Sequence, residues 1–306
     1  MKIGFVSRIG EFPEKEWLGE FETARKAGVN HLELIINYPF FGPQTATPNQ
    51  ISELARLARE NDLELIFHLL PNQYQLPEDV RHSDAPQKFQ DHEEYLRNKV
   101  FNIASSDEKV RKFSIEEIKR TIEIAERVHA PLVVIHGGSF EEEEYYATAL
   151  GRSRKSLEEL NLYLREVKLA VENLPILGHS GNPVNELPIY SRDLIYLVKG
   201  LENIGICFDI AHANTSGNPI EFYKELRKTG KVWDMHIHDN AGERDDHLAL
   251  DVLEEGGIDF EGFMRILKDD DYRGYFSIEL DTWNEFPDAM EKRERIEGLE
   301  YLKKLG

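Results

Sequence analysis

Short apolar runs alternate with longer amphipathic stretches from one end of the chain to the other. Eight of the runs read as strands: KIGFVS (2–7), HLELII (31–36), LELIFH (63–68), PLVVIH (131–136), KLAVE (168–172), IGICFD (204–209), VWDMHIH (232–238) and GYFSIEL (274–280). Each is nearly continuous in its hydrophobicity, the pattern of a parallel sheet covered on both faces. Helical patterns fall between them, near 15–27, 48–60, 115–128, 157–167, 190–200, 218–229, 259–269 and 286–304. Ser114 with Glu117 and Ser156 with Glu159 have the spacing of capping boxes, and Gly or Asn is expected to close many of the helices. One helix after each of eight strands predicts an α/β fold, a single (β/α)8 barrel over residues 1–306. An open doubly wound sheet uses the same alternation, but SRIGEFPEK after the first run is not its glycine-rich phosphate loop. The long polar stretch 71–100, which follows strand three, is expected to form an inserted lid.

Composition narrows the function classes. A chain of 306 residues with 41% hydrophobic content can bury roughly three quarters of its unfolded surface in one core. Its longest apolar runs fall far short of the ~20 residues needed to cross a bilayer, and MKIGFVSRIG lacks a signal-peptide layout, so a cytoplasmic location without membrane partners is expected. Cys207 is the only cysteine, which rules out an intrachain disulfide and a thiolate zinc site of the finger type. Lys plus Arg number 37 against 57 Asp plus Glu, and the resulting charge of −20 disfavours nucleic acid as a partner.

In a barrel the catalytic face lies where the strands end. Those ends carry metal-ligand types: His68 on strand three, His136 on four, Glu172 on five, Asp209 with His212 on six, His236 and His238 on seven, and Glu279 on eight. The loop AGERDDHLAL adds Asp245 and His247 in a D-x-H arrangement. Any one of them has an ordinary structural explanation, such as a helix cap or a hydrogen-bonded histidine. The set does not, because so many ionisable groups on one rim are costly to bury unless cations neutralise them. A mixed imidazole and carboxylate shell without sulfur suits Zn, Mn, Co or Fe(II).

With these residues in place, the chain resembles the xylose-isomerase-like TIM-barrel superfamily, which holds sugar isomerases and epimerases together with the endonuclease IV type of abasic-site nuclease. Residues 101–139 are similar to the endonuclease IV pattern around its second histidine, and AVEN and IGICFDIAHA match the next two ligand motifs. The nuclease likeness implies three ions on His68, His136, Glu172, Asp209, His212, His236, Asp245, His247 and Glu279. The isomerase and epimerase likeness implies one ion on Glu172, Asp209, His236 and Glu279. His236 stands three residues before Asp239, as the family's strand-seven ligand does, while His238 points to the same side of the strand. Two departures weaken the nuclease likeness: residues 71–100 intervene where the nuclease pattern runs on directly, and no Lys/Arg cluster lies near the rim.

The leading expectation is therefore a divalent-metal-dependent sugar or sugar-phosphate isomerase or epimerase, in which Glu172 and Glu279 exchange the proton of an enediolate. An endonuclease IV-like zinc phosphodiesterase is the alternative, and a non-catalytic metal or sugar binding protein the third reading. His212 and Arg244 are candidates to orient substrate hydroxyls or a phosphate, although Arg244 reads equally as a solvated loop charge beside Asp245 and Asp246. Glu33 is placed either at the substrate or in a structural ion pair, and Phe40, Phe41 and Trp283 either on a sugar ring or in the core. The glycines of GHSGN (178–182) and the pair Gly256-Gly257 offer either phosphate-binding amides or turns. One to three ions per chain and assembly into a homo-oligomer stay open.

Overall fold

Eight parallel strands close on themselves in chain order: β1 (Lys2–Ser7), β2 (His31–Ile35), β3 (Glu64–Leu69), β4 (Leu132–His136), β5 (Lys168–Glu172), β6 (Ile204–Asp209), β7 (Val232–Ile237) and β8 (Tyr275–Ile278). The structure, a computed structural model, describes residues 1–11, 13–36, 41–70, 101–141, 143–250, 252–253, 257–280 and 289–305. The stretch 71–100 expected to form a lid lies outside them. Pairing of β1 with β8 makes the sheet a closed barrel rather than an open doubly wound sheet. All eight strand predictions fall within two residues of the observed bounds, because an apolar run with turn signals at each end has little freedom in where it sits.

Around the barrel lie α1 (Glu14–Ala27), α2 (Pro48–Asn61), α3 (Glu108–Val128), α4 (Tyr146–Tyr163), α5 (Ser191–Val198), α6 (Ile210–Ser216), α7 (Pro219–Leu226), α8 (Phe260–Asp269) and α9 (Ala289–Leu305). None of the helices among the described residues is long and apolar enough to cross a membrane. The main core fills the layer between strands and helices, where Phe67, Val133, Phe208 and Phe276 meet Trp17, Phe21, Ile118 and Phe263. A smaller cluster of Ile66, Leu132, Val134, Ala170 and Cys207 fills the barrel itself.

Two expectations about helix ends need correction. Ser114 and Ser156 are not caps; both lie inside helices that begin earlier. Asp107 caps α3 by accepting from the Lys109 amide, and α4 already starts at Tyr146. The Ser114 hydroxyl instead donates to the Val110 carbonyl and accepts from the Asn102 amide. The capping box that does form is Thr47 with Gln50 at α2. Gly28 closes α1 as expected, but Asp62 and His129 take the left-handed position after α2 and α3, at φ of 56° and 61°.

Register aligns the strand ends. His136 lies beside Glu172, Asp209 beside His236, and His236 beside Ser277. Parallel strands in register put these residues at one level of the rim, so the fold alone brings side chains far apart in the chain within reach of each other.

Candidate metal centre

Among the described residues five groups of possible donors have their atoms within 4.8 Å of one another: Glu33, His68 and His236 form one, Glu172, Cys207 and His236 another, and the strand-end ligand candidates fill the other three. Of these three, the first is His68, His136 and Glu172; the second is Glu172, Asp209, His236 and Glu279; the third is His212, His238, Asp245 and His247. All ten residues singled out from the sequence are in one of them. His236 and His238 fall in different groups. His236 Nδ1 lies 2.9 Å from Glu279 Oε2, whereas His238 Nε2 lies 3.2 Å from Asp209 Oδ2 and 3.9 Å from Asp245 Oδ1.

Local folding aims several of the donors. Asp209 is the N-cap of α6; its Oδ1 accepts from the His212 amide at 2.6 Å, which leaves Oδ2 turned to His238. The same turn brings His212 over the rim, with Nδ1 2.8 Å from the Asn173 carbonyl. A carbonyl can only accept, so Nδ1 carries a proton, and Nε2, 3.4 Å from Asp245 Oδ2, is the nitrogen that would face an ion. Asn173 also holds Asp209 by a pair of hydrogen bonds, one from the Asp209 amide and one to its carbonyl. His247 sits at φ 47°, a strained conformation for a residue with a side chain, and its ring stacks on His238 at 3.8 Å between centroids.

The electrostatics favour cations. Burial works against a charged imidazole, yet Asp209 and Asp245 push His212 well above its ordinary range. Against the same burial, Asp245 pushes His247 up to about 10. Burial raises Glu172, but His236, His136 and His212 together hold it well below the usual carboxylate range. Without metal the histidines thus take up the charge the carboxylates require. Buried donor atoms at the centre, among them His68 Nε2, Glu172 Oε2, Asp245 Oδ1 and Glu279 Oε2, make no hydrogen bond within the protein. These residues fit divalent ions, whose bonds would satisfy those atoms. Cys207 also lies close to Glu172 and His236, but burial pushes its thiol well above the ordinary value, which leaves nitrogen and oxygen as the donors.

The remaining sequence candidates are placed differently. Glu33 is fully buried behind the histidines, its Oε1 2.8 Å from His236 Nε2. Arg244 is exposed and paired with Asp246. Phe41 is buried in the core, edge-on to Trp17 at 5.4 Å, while Phe40, Gly256 and Trp283 lie outside the described residues. Gly178 and Gly181 shape a turn closed by the Gly181 amide on the Gly178 carbonyl. In that turn His179, not singled out from the sequence, is half-exposed with Nε2 3.7 Å from Asp245 Oδ2 and its ring stacked near His247. A lone histidine in a glycine turn carries no spacing signal that would have found it.

Comparison with known proteins agrees with this architecture. An uncharacterised protein of Methanocaldococcus jannaschii is 35% identical over 208 residues, 66% of each chain. A probable endonuclease 4 of Sulfurihydrogenibium sp. is 29% identical over 193 residues, 56% of this chain and 65% of the other. The chain spans just under two thirds of the length of these relatives. Among solved structures, a D-tagatose 3-epimerase-like protein is 26% identical with a TM-score of 0.72 over 99% of both chains. Endonuclease IV from Thermus thermophilus superposes at a TM-score of 0.68 with 17% identity over all of both chains. The family described as xylose isomerase-like TIM barrel matches residues 21–305, and the chain belongs to it.

Proposed function

We propose that this chain is a divalent-metal-dependent hydrolase of phosphate esters or phosphodiesters, working with more than one ion. The observation that carries the reading is the use of both oxygens of Glu172. Oε2 faces His68 Nε2 at 3.1 Å and His136 Nε2 at 3.4 Å, while Oε1 faces His236 Nδ1 at 3.2 Å and His212 Nδ1 at 3.4 Å. A carboxylate divided in this way is suited to bridge two ions, and it is poorly suited to act as a free base on carbon. His68 and His136 would hold one ion with Glu172; Asp209, His236 and Glu279 would hold the next; His212, His238, Asp245 and His247 offer a third position. Ions of Zn, Mn or Co held there would polarise a phosphoryl oxygen and acidify the attacking water. The charge of −20 supplies little of the counterion-release term that drives binding to long nucleic acid, so small phosphorylated molecules are the preferred substrates.

A sugar isomerase or epimerase is the second reading, favoured by the 26% identity with the D-tagatose 3-epimerase-like protein along the whole chain. It would use Glu172, Asp209, His236 and Glu279 around one ion, with Glu172 and Glu279 exchanging the substrate proton.

Metal content per chain separates the two. On gently purified protein, elemental analysis is expected to give two or three ions, falling in Asp245→Ala/His247→Ala together with hydrolysis of bis(p-nitrophenyl) phosphate. One ion, unchanged in the double variant, would overturn the hydrolase reading and direct substrate screening to ketoses and their phosphates.

A further inference from the structure

A carboxylate with no place in either ligand set lies beneath the centre. Glu33, at the middle of β2, is wholly buried inside the barrel. Its Oε1 lies 2.8 Å from His236 Nε2 and 3.5 Å from His68 Nδ1. These are the far sides of both rings: His236 Nδ1 is turned to Glu172 and Glu279, and His68 Nε2 is turned to Glu172. The Ser277 hydroxyl, 2.9 Å from His31 Nε2, lies near Glu33, whose Oε2 makes no hydrogen bond within the protein. Room for the His31 ring exists only because residue 4 is glycine, since a Cβ there would stand 2.4 Å from the imidazole. Burying a carboxylate costs several kcal/mol unless hydrogen bonds compensate it, so a residue of this kind under two histidines of two different groups calls for a role.

We propose that Glu33 is a positioning residue for the metal centre, fixing the tautomer and ring angle of His236 by a hydrogen bond and facing His68 through its charge alone. The inference rests on the reading of those two histidines as ligands. A histidine that donates one ring N–H to a carboxylate presents the lone pair of its other nitrogen, and the negative partner makes that nitrogen a stronger donor. Glu33 accepts the Nε2 proton of His236, which leaves Nδ1 as the donor toward the second group. His68 Nδ1, at 3.5 Å, makes no hydrogen bond within the protein, so Glu33 acts on that ring only through its charge. Ser277 packs near the carboxylate, so the orientation of His236 is set from the barrel interior rather than from the loops.

Titration with Co(II) tests this on the full chain, reading the visible absorption of the bound ion and its affinity by chelator competition. In Glu33→Gln, which keeps the shape and removes the charge, affinity is expected to fall about 10–100-fold at the subsite of His236, with displaced absorption bands and an unchanged far-ultraviolet dichroism spectrum. Ser277→Ala, which loosens Glu33 without touching a ligand, is expected to move the same bands in the same direction by less. It carries the test if Glu33→Gln does not fold. Unaltered affinity and spectra in the folded variants would overturn the proposal. Loss of one whole ion with the others undisturbed would also overturn it, making Glu33 itself a ligand. Wild-type protein that takes up no Co(II) would instead refute the metal reading on which the proposal rests.

Discussion

Burial chiefly keeps the His31 imidazole neutral: desolvation, helped by Lys2 and His236, pulls its pKa from the ordinary 6.5 to about 4, although Glu33 and Glu64 favour the charged form. The folded pKa lies below the unfolded one, so stability is complete above pH 6.5 and is lost as the pH falls toward 4, where the unfolded chain binds a proton that the folded chain refuses. A gap of about 2.5 units corresponds to about 3 kcal/mol. His31→Gln, which retains a polar partner for Ser277, should flatten the fall of the urea midpoint between pH 6.5 and 4; an unchanged slope would assign that loss to other groups. This residue also marks the boundary of what could be read from the sequence. His68, His136, Glu172 and Asp209 were legible because they end apolar runs, where barrel chemistry is placed. His31, Asp234 and Ser277 were not, since a polar residue within a short apolar run leaves no periodic trace, and only the closed barrel shows that they point inward beneath the rim.

At the scale of elements, types were easier to read than ends. A serine three residues before a glutamate is a capping signal only if the backbone is not yet helical, and Ser114 and Ser156 satisfy the spacing in mid-helix. The helix α4 runs unbroken through Gly151, with Ala149, Leu150 and Ser153 around it buried. The motif TPNQ at 47–50 carried the true start of α2: the Gln50 amide donates to Thr47 Oγ1 at 3.3 Å, Gln50 Oε1 accepts from the Thr47 amide at 2.9 Å, and Pro48 occupies the first turn. Thr47→Ala leaves that amide without its acceptor. It should lower stability by about 1 kcal/mol, read as a shift of the urea midpoint at constant slope. No shift would mean that water serves the helix end equally well.

For the whole molecule, the barrel was legible since eight similar units in series leave few ways to cover both faces of a parallel sheet, and the missing phosphate loop decided between the two that remained. What the pattern of strands could not give is how the rim is kept stable. Glu172, Asp209, Asp245 and Glu279 are drawn together at the strand ends with little access to water, and their mutual repulsion opposes closure of the barrel. Histidines relieve it in the absence of metal, but cations would do so more fully, which makes metal binding part of the folding free energy. Each ion present at about a hundred times its dissociation constant contributes about 2.7 kcal/mol. Calorimetry of chelator-treated protein should therefore show Tm rising with the logarithm of added Zn or Mn, by roughly 4 °C per ion at that excess for a chain of this size. The steepness of the rise reports how many ions are released on unfolding: a slope for two or more ions would join the stability of the rim to the proposed place of Glu172 between two ions, a slope for one ion would separate them, and a Tm indifferent to metal would show that the histidines neutralise the rim by themselves.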